Sequence, residues 1–569
     1  MGALPRPARA GAIGWLLLAT GSALAQVAPP TREEVSPPPA EAPRAARVQV
    51  EGGIERAPCP LDDPSYQNVR VTVTSAVFNG LKGVTAEELA PAYRAYLGQE
   101  RPISVVCEIR DAAATVLRQK GYLAAVQVPV QKIDSGEVRF EVLYARLAAV
   151  RVRGDAGNAE RLIASYLEPL TRQEVFNRIE AERYLLLVHD LPGYEVRLTL
   201  RPAGTGPGEL VGDVVVVRTP YVIDLNVQNL AGRDTGIWGG QLRAQFFGLT
   251  GLGDRTSVAF YSTADFDEQQ ILQLAHDFRI GGEGLTFGGR FNYAWTSPTI
   301  RNAGGQRLDI EARTLFANVE ASYPFLRSQA GNVRGAIGLD FVNQKVRFTD
   351  VPLSRDRLRV AYLRLEGDSV DPTVGEIPAW RVAGSVELRR GLDIFDASAA
   401  GPAPVPQSRL FGDPTATVFR FSGLAEFQLA GNLAFSLAPR AQYGFDRLLS
   451  FEQFSGGNYT IGRGYEPGTL IGDSGAGFSA ELKVNRWAPF KGRQIALQPF
   501  AFVDSAWVWT KGAAGQPDNL TSVGGGVRAG LFERARLDMT LAVPTKAAGF
   551  QARRGDVRFL VSLTTKLLP

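Results

Sequence analysis

The chain has 569 residues, of which 45% are hydrophobic, and its formal net charge is +4. The mean hydropathy is only −0.06, far below that of a helical membrane protein. The small net charge gives no reason to expect a nucleic-acid partner. With two histidines and two cysteines, no His/Cys metal site and no cofactor are predicted.

The first 25 residues predict a Sec signal peptide. Arg6 and Arg9 precede an apolar run at residues 12–19, and the Ala-Leu-Ala sequence at 23–25 provides a cleavage site. Beyond this segment no run approaches the roughly 18 consecutive apolar residues of a membrane-spanning helix. Insertion into a membrane would therefore require a closed β-barrel, and we expect an exported protein of the Gram-negative outer membrane.

The next segment, residues 26–57, is rich in proline, alanine and charged residues. It lacks the periodicity of a helix or a strand. We interpret it as an extended or disordered linker.

Cys59 and Cys107 form an even count in a chain sent to an oxidising compartment. This context favours one disulfide over a metal site, and two free buried thiols are the alternative. A bond between them would close a loop of about 50 residues, which in the chain-entropy model stabilises the fold by ~4 kcal/mol.

Residues 58–218 predict the same order of elements twice: a strand, two helices and two further strands. In the first copy, 58–145, Val69–Val73 alternates as a strand, and Thr85 with Glu88 forms a capping box that opens a helix to about Leu97. One apolar face marks a second helix that ends at Gly121. The residues of that face are Val105, Ile109, Ala112 and Val116. Strands near 122–130 and 137–145 complete the unit.

The second copy, 146–218, begins with a strand at Ala149–Val152 and a helix near 158–168. A second capping box at Thr171 and Glu174 predicts the next helix, to about Asp190, and strands follow it. The glycine-rich run 204–208 lacks the Lys-Ser/Thr pair of a phosphate-binding loop, so we interpret it as a loop between strands.

From residue 219 to 569 the helical period disappears and strand alternation replaces it. Along 418–429 one face is apolar and the other polar, a pattern typical of a sheet with lipid on one side and water on the other. The apolar face comprises Phe419, Phe421, Ala425, Phe427 and Leu429. At roughly 22 residues per strand with its turns and loops, this region has room for about 16 antiparallel strands.

A glycine-rich segment between two of these strands carries an arginine, in the sequence Gly462-Arg463-Gly464-Tyr465. It is followed by Gly472-Asp473-Ser474-Gly475. The tetrapeptide alone would suit an ordinary hairpin tip. With the preceding Phe451-Glu-Gln-Phe run, however, it resembles the loop signature of the TpsB (ShlB/FhaC/HecB-type) two-partner secretion transporters.

The repeated unit is similar to the POTRA domains of that family, notably at Gln119–Tyr122 and Asp190–Gly193. The resemblance implies two periplasmic POTRA domains, a sixteen-stranded barrel and a loop that folds back into the lumen. There the arginine would meet an acid in the pattern Phe-x-Asp-x-Gly, here Phe502-Val-Asp504-Ser-Ala506. Ala506 replaces the last glycine, and its methyl group is expected to hinder close packing of the loop against this strand.

We expect a solvated Arg463–Asp504 pair to contribute only about 0–1 kcal/mol, unless it is bidentate and enclosed. Family members often carry an N-terminal plug helix in the pore, for which Thr31–Val35 is a poor candidate. The chain ends on Lys566-Leu-Leu-Pro569 rather than on the family's usual aromatic residue, so the signal read by the barrel-assembly machinery is expected near Phe559.

The function implied by the resemblance is secretion of an unfolded TpsA-type exoprotein, captured by the POTRA domains and passed through the barrel. Outer-membrane lipid is the other expected partner. The alternative is an assembly factor of the same superfamily that inserts other outer-membrane proteins. No enzyme is predicted: the Gly-Asp-Ser-Gly run suggests a serine protease, but the only candidate bases are His189 and His276, neither in a protease context.

Overall fold

The computed structural model describes residues 30–35, 50–51, 58–301, 305–373, 378–485, 487, 494–513, 517–532, 534–549 and 553–568. Two α+β units precede a large closed barrel in this part of the chain. The predicted signal peptide and Pro569 lie outside the described residues. Among the described helices, none is long and apolar enough to cross a membrane.

Four α-helices are described, together with short 3₁₀ turns. The α-helices are α1 (Arg32–Val35), α2 (Val105–Gln119), α3 (Glu160–Arg172) and α4 (Arg178–His189). The 3₁₀ turns are Pro60–Asp62, Pro64–Tyr66, Ala90–Ala92, Arg94–Tyr96, Gly157–Ala159 and Ser450–Glu452. The strands outside the barrel domain are β1 (Val50–Glu51), β2 (Arg70–Thr72), β3 (Ser75–Asn79), β4 (Glu100–Pro102), β5 (Ala124–Gln127), β6 (Glu137–Tyr144), β7 (Arg146–Gly154), β8 (Tyr194–Pro202) and β9 (Glu209–Arg218).

In the first α+β unit, α2 packs on a sheet of order β3-β6-β5. The disulfide between Cys59 and Cys107 ties the start of the unit to this helix. The buried face of α2 includes Ile109, Ala113 and Leu117, so the predicted helix is present but its face is turned slightly from Ala112 and Val116. Burial of Ile109 and Leu117 at i and i+8 gives the helix its core-facing stripe.

The predicted helix from Thr85 to Leu97 is wrong. The capping box itself forms, because Thr85 N donates to Glu88 Oε2 at 2.9 Å and Glu88 N to Thr85 Oγ1 at 3.4 Å. The chain then continues as two 3₁₀ turns. Pro91 has no N–H to donate and its ring crowds the carbonyl one turn earlier, which disfavours a continuous α-helix at this position.

In the second unit, α3 and α4 cover a sheet of order β1-β8-β9-β7. The predicted capping box at Thr171 is wrong: Thr171 lies inside α3, and its hydroxyl donates to Glu168 O at 2.9 Å. The cap of α4 is Asn177, whose side chain accepts from Ile179 N at 2.9 Å. Both residues suit a cap, and only the path of the chain selects Asn177.

The linker interpretation of 26–57 fails at two places. Residues 32–35 form α1, which lies inside the barrel rather than in solvent, with Val35 fully buried. Val50–Glu51 forms β1, which pairs in parallel with Leu198–Thr199 of β8. The other residues of this segment lie outside those that the structure describes.

The barrel is closed by sixteen antiparallel strands, which confirms the predicted number and class. Its strands are β10 (Tyr221–Gln228), β11 (Gly239–Phe247), β12 (Arg255–Thr263), β13 (Gln269–Ile280), β14 (Leu285–Thr296), β17 (Ile310–Arg327), β18 (Gly331–Phe348), β19 (Val351–Val370), β20 (Trp380–Gly391), β21 (Thr417–Ala430), β22 (Leu433–Gly444), β25 (Ser474–Val484), β26 (Ile495–Trp509), β27 (Asp518–Leu531), β28 (Ala535–Pro544) and β29 (Arg558–Leu568). The remaining short strands are β15 (Ile300–Arg301), β16 (Arg307–Leu308), β23 (Phe454–Gly456) and β24 (Leu470–Gly472).

Closure comes from antiparallel pairing of the first barrel strand, β10, with the last, β29. Alternation places apolar side chains outside: Phe419, Phe427 and Leu429 are 41%, 43% and 55% exposed. Polar and charged residues alternate with them and face the lumen. A closed sheet leaves no unpaired edge, which is the condition for strands to cross a membrane.

Candidate functional site

The segment between β22 and β25 folds back into the barrel, and we call residues 445–473 the lumen loop. Its two short strands β23 and β24 pair with each other as a hairpin. An apolar cluster joins this hairpin to the barrel wall. The cluster comprises Phe454, Ile461, Tyr465, Leu470, Ala506, Val508, Leu520 and Ala548. The loop is therefore packed against one side of the lumen.

Arg463 lies near the tip of the lumen loop and binds Asp504 of β26 in a bidentate pair. Arg463 Nε donates to Asp504 Oδ2 at 2.9 Å and Nη2 to Oδ1 at 2.7 Å. The backbone N–H of Arg463 donates to Oδ2 as well, at 2.9 Å. Asp504 is 1% exposed. Side chain and backbone together fix the position of the loop on this strand.

Two neighbours extend the contact of Arg463 with the wall. Its Nη1 donates to Glu481 Oε1 at 2.6 Å, and Glu481 also accepts from Arg528 Nη2 at 2.9 Å. Its guanidinium lies 3.5 Å from the ring centroid of Phe502. The pair is thus bidentate and enclosed. The stability contribution of about 0–1 kcal/mol expected for a solvated pair therefore does not apply to it.

Glycines of the motif allow this close approach. Gly462 has φ +121°, a conformation that L side chains rarely adopt. A Cβ on Gly464 would lie 2.8 Å from Ser522 Cβ and 2.9 Å from Pro544 N. Tyr465 is fully buried, and its hydroxyl lies 2.8 Å from Thr521 O and 2.9 Å from Lys546 O. The motif is a wall-contacting tip rather than an exposed hairpin turn.

The end of the lumen loop is held by Asp473, which is fully buried. Its carboxylate accepts from Leu448 N at 2.9 Å and Lys511 N at 2.8 Å, and it also forms an ion pair with Arg409. A Cβ on Gly475 would overlap the ring of Phe454, at 2.3 Å. These contacts give Asp473 and Gly475 of the sequence motif positioning roles.

Ala506 does not displace the lumen loop from β26. It is fully buried in the apolar cluster that the loop forms with the wall. A Cβ built on Gly456 would lie 3.7 Å from the Ala506 methyl, an ordinary van der Waals distance. The expected conflict is absent because the loop hairpin leaves room for one methyl group.

A second ionic cluster, which the sequence did not predict, holds the other end of the lumen loop. Arg389 of β20 is completely buried and donates Nε and Nη2 to the two carboxylate oxygens of Glu452, each at 2.9 Å. It also donates to Asp340 at 2.7 Å and Glu387 at 3.0 Å. Arg420 reaches Glu452 at 3.1 Å. We call these five residues the Arg389 cluster.

The same cluster contacts α1. Arg32 lies 3.5 Å from Asp340 and 4.0 Å from Glu452, and Glu33 pairs with Arg440 of the wall. Val35 O accepts from Asn292 Nδ2 at 3.1 Å. The sequence makes Thr31–Val35 a poor candidate for a plug helix, yet the structure places these residues in the lumen. The segment is too short for periodicity to reveal it, so only its wall contacts identify its place.

No histidine approaches Ser474 within the described part of the chain. Its hydroxyl instead accepts from Gly444 N at 3.1 Å. His276 lies on β13 beside Thr256, 2.9 Å away, and His189 ends α4. The serine of the Gly-Asp-Ser-Gly run therefore makes a structural hydrogen bond within the barrel and is not part of a Ser-His-acid arrangement among the described residues.

Comparison with known proteins identifies the family. The family model described as haemolysin secretion/activation protein ShlB/FhaC/HecB matches residues 214–529, more than half of the chain. The chain belongs to this family. A model of the ShlB-type POTRA domain matches residues 71–144, the first α+β unit.

Individual relatives of this ShlB/FhaC/HecB family member are distant. The heme/hemopexin transporter protein HuxB of Haemophilus influenzae (strain 86-028NP) is 22% identical over 217 residues, which is 37% of each chain. The outer membrane transporter CdiB of Escherichia coli is 22% identical over 473 residues, 79% of this chain and 75% of the relative. The matched region thus spans well under half the length of the HuxB relative.

Solved structures share the fold. CdiB from Escherichia coli has a TM-score of 0.71 at 16% identity and covers 100% of both chains. CdiB from Acinetobacter baumannii has a TM-score of 0.62 at 18% identity, with 97% of each chain covered. BamA from Haemophilus ducreyi, lacking POTRA domains 1–3, reaches 0.52 at 13% identity, over 88% of this chain and 100% of that chain. The barrel of this family member lies in the outer membrane, and its POTRA domains lie in the periplasm.

The second POTRA domain docks on the turns at one end of the barrel, which is therefore the periplasmic end. Asp190 accepts two hydrogen bonds from Arg327, both at 2.7 Å, and Arg183 donates to Pro324 O at 3.1 Å. Burial at this junction raises the pKa of Tyr166 to about 12. The turn between β18 and β19 lies at the opposite, extracellular end.

Proposed function

We propose that this protein secretes an exoprotein through its barrel in the manner of two-partner secretion. An unfolded TpsA-type client is captured in the periplasm by the POTRA domains. It then crosses the lumen as an extended chain or a hairpin and folds at the cell surface. The transport step involves no covalent chemistry, and folding outside the cell prevents the client from sliding back.

The observation that supports this proposal best is the nature of what fills the lumen. Both occupants, α1 and the lumen loop, belong to the chain itself and meet the wall through side-chain ion pairs and an apolar patch. The hairpin strands β23 and β24 pair with each other and are not part of the barrel sheet. Moving them aside therefore breaks no ladder of the sixteen-stranded sheet.

Client capture is assigned to the edge strands of the POTRA domains. Among the described residues these are β3 and β5 in the first domain and β7 in the second, and each offers backbone groups to an added strand. The β8 side of the second domain is paired with β1 over Val50–Glu51. Strand addition holds a chain through its backbone, which suits a client that has not yet folded.

The first experiment compares proteins in the medium and at the cell surface between the wild type and a deletion of this gene. We expect loss of one large exoprotein while other outer-membrane proteins remain. Broad depletion of unrelated outer-membrane barrels would instead favour the assembly-factor alternative. Complementation with the wild-type gene is the control for both results.

A second experiment tests the lumen loop in the same assay. Arg463→Ala and Asp504→Ala variants, checked for wild-type amounts in the outer membrane, are expected to secrete less client, because the loop loses its bidentate contact with β26. Normal secretion by both variants would remove the Arg463 anchor from the mechanism. An Arg390→Ala variant is the matched control, since this arginine faces outward beside the buried Arg389.

A further inference from the structure

An exposed basic patch lies on the outside of the barrel, on its three longest strands. Odd-numbered positions of β17, β18 and β19 face outward, as Val319, Ile337 and Leu363 show with exposures of 55%, 63% and 62%. The same face becomes basic toward the extracellular turn. The basic residues are Arg313, Lys345, Arg347, Arg355, Arg357 and Arg359.

Three of these cations stand in one row across the sheet. Arg313 is the direct register partner of Lys345, and Lys345 is that of Arg355. Directly opposed side chains on one face of a sheet have Cβ atoms about 5 Å apart, and like charges there are destabilising. An anion bound over the row would attract all three cations and so offset their mutual repulsion.

The chain itself neutralises the patch only in part. Within the part of the chain that the structure describes, Lys345 forms no ion pair, and Arg355 has a buried Nε without an acceptor. Arg359, 6% exposed, donates its described hydrogen bonds to carbonyl and amide oxygens rather than to a carboxylate, and it also lies over the ring of Phe341. Arg313 lies 3.5 Å from Glu311, and Arg347 lies 3.5 Å from Asp350. Arg357 is paired with Asp396. Several donors are therefore left for an external acceptor.

These residues line a cleft of about 420 Å³ on the barrel exterior. One wall is the extracellular segment after β20, where Phe395 packs on Phe341 with ring centroids 5.8 Å apart and accepts from Arg359 Nε at 3.2 Å. The lining holds six arginines and lysines against three acids. The acids are Glu311, Asp356 and Asp396.

The position of the cleft along the membrane normal indicates the kind of ligand. The outward residues change from apolar to basic on all three strands toward the extracellular end: between Leu315 and Arg313 on β17, between Phe341 and Lys345 on β18, and between Ala361 and Arg359 on β19. Trp295, which faces outward in register with Arg313, is typical of the boundary between hydrocarbon and headgroups. The cations therefore lie at the headgroup level of the outer leaflet.

We propose that this cleft binds the phosphate groups of a phosphorylated glycolipid in the outer leaflet of the outer membrane. Guanidinium groups present planar pairs of donors that match phosphate oxygens, and Lys345 adds a point charge between two of them. The sugar to which the phosphates are attached fills the cleft beside Asp396. Acyl chains lie below on the apolar face that includes Leu363.

The test uses the purified full-length protein in detergent and measures retained lipid by native mass spectrometry. The probes are bis-phosphorylated lipid A, the same lipid after dephosphorylation, and inorganic phosphate. We expect the wild type to retain bis-phosphorylated lipid A at least about tenfold better than an Arg313→Gln/Lys345→Gln/Arg355→Gln variant, because each removed cation loses a charge-assisted hydrogen bond. Dephosphorylated lipid A is expected to bind both proteins alike.

The matched control is Lys511→Gln/Arg553→Gln/Arg554→Gln, which removes three cations from other extracellular segments and should leave retention unchanged. If the triple variant does not fold, a single Lys345→Glu variant is used instead, since Lys345 is exposed and forms no ion pair with the described residues. Equal retention by patch and control variants would overturn the proposal. So would displacement of lipid A by millimolar inorganic phosphate, which would indicate a site for free anions.

Discussion

The lumen loop is held at two places by ionic clusters of opposite design, one near its tip at Arg463 and one near its start at Glu452. At Arg463 the loop supplies the cation, and the wall supplies the acids Asp504 and Glu481. In the Arg389 cluster the wall supplies the cation and the loop supplies the acid, Glu452. The first cluster joins the loop to β25 and β26, and the second joins it to β18, β20 and β21.

The difference lies in what else each cluster holds. The contacts of Arg463 serve the loop alone, whereas the Arg389 cluster also reaches α1 through Arg32. Arg389 is completely buried, while the Arg463 side chain keeps 17% exposure. We infer that the Arg463 end can be released without disturbing the rest of the lumen, and that the Arg389 end is part of the barrel's own stability.

The largest effect is expected from Arg389→Gln. The change leaves the buried carboxylates of Asp340, Glu387 and Glu452 without their shared cation, which costs about 3–5 kcal/mol for a buried pair broken on one side. The measurement is thermal unfolding of the detergent-solubilised barrel, followed by circular dichroism. Arg390→Gln, next in the chain but facing outward, is the control and should melt like the wild type. Equal melting of the two variants would contradict the inferred stabilising role.

Arg463→Gln should act on the lumen loop rather than on the barrel. Losing charged hydrogen bonds to Asp504 weakens the wall-bound state of the loop by about 1–3 kcal/mol, while most of the unfolding free energy remains. Single-channel conductance in planar bilayers should then show more open time. A double-mutant cycle with Asp504→Asn should give a coupling of at least about 0.5 kcal/mol, and strict additivity would count against a direct pair.

A smaller effect is expected from Arg32→Gln in α1. Its ion pairs are 3.5 Å and 4.0 Å long and 23% of the side chain is exposed, so the contribution is about 0–1 kcal/mol. Openings in the same bilayer assay should increase less than for Arg463→Gln. If Arg32→Gln opened the pore more than Arg463→Gln, α1 and not the loop would be the dominant barrier.

The smallest effect concerns the contact between the two POTRA domains, where Lys82 pairs with Glu174. Its hydrogen bond with Lys82 lowers the pKa of the Glu174 carboxyl below the usual 4.5. The contact is thus complete above that usual pKa and is lost as the pH falls through the lowered value. Small-angle scattering of the POTRA pair in the full-length protein should show no change between pH 8 and 6 and a looser pair only at acidic pH below the usual pKa of 4.5. Lys82→Gln should abolish the difference.

Much of the fold followed from local patterns, and the failures have local causes. Alternation in runs such as 418–429 predicted the barrel because lipid and water select opposite faces of every strand. The predicted helix at 85–97 failed because Pro91 interrupts it, and the cap at Thr171 failed because Asn177 competes for the same role. Capping residues mark a possible helix start without fixing which start is used.

The Arg463 end of the site was predictable because glycine, arginine and tyrosine stand close together in one segment, and a family pattern supplied Asp504. The Arg389 cluster had no such signal. Its members Asp340, Glu387, Arg389, Arg420 and Glu452 come from four segments, and each alone reads as an ordinary lumen-facing charge. A charged residue at an inward strand position is expected to contact either water or an oppositely charged side chain, and the sequence pattern does not distinguish the two.

The sequence by itself determined the two α+β units, the sixteen strands with their inner and outer faces, and the loop that carries Arg463. These features depend on neighbouring residues and on the contrast between lipid and water, which a linear pattern records. Only the tertiary structure decided that α1 enters the lumen, that one buried arginine joins α1 to the loop, and that three outward cations align in a row. Those relations depend on register and closure of the barrel, which bring together side chains that are far apart in the chain.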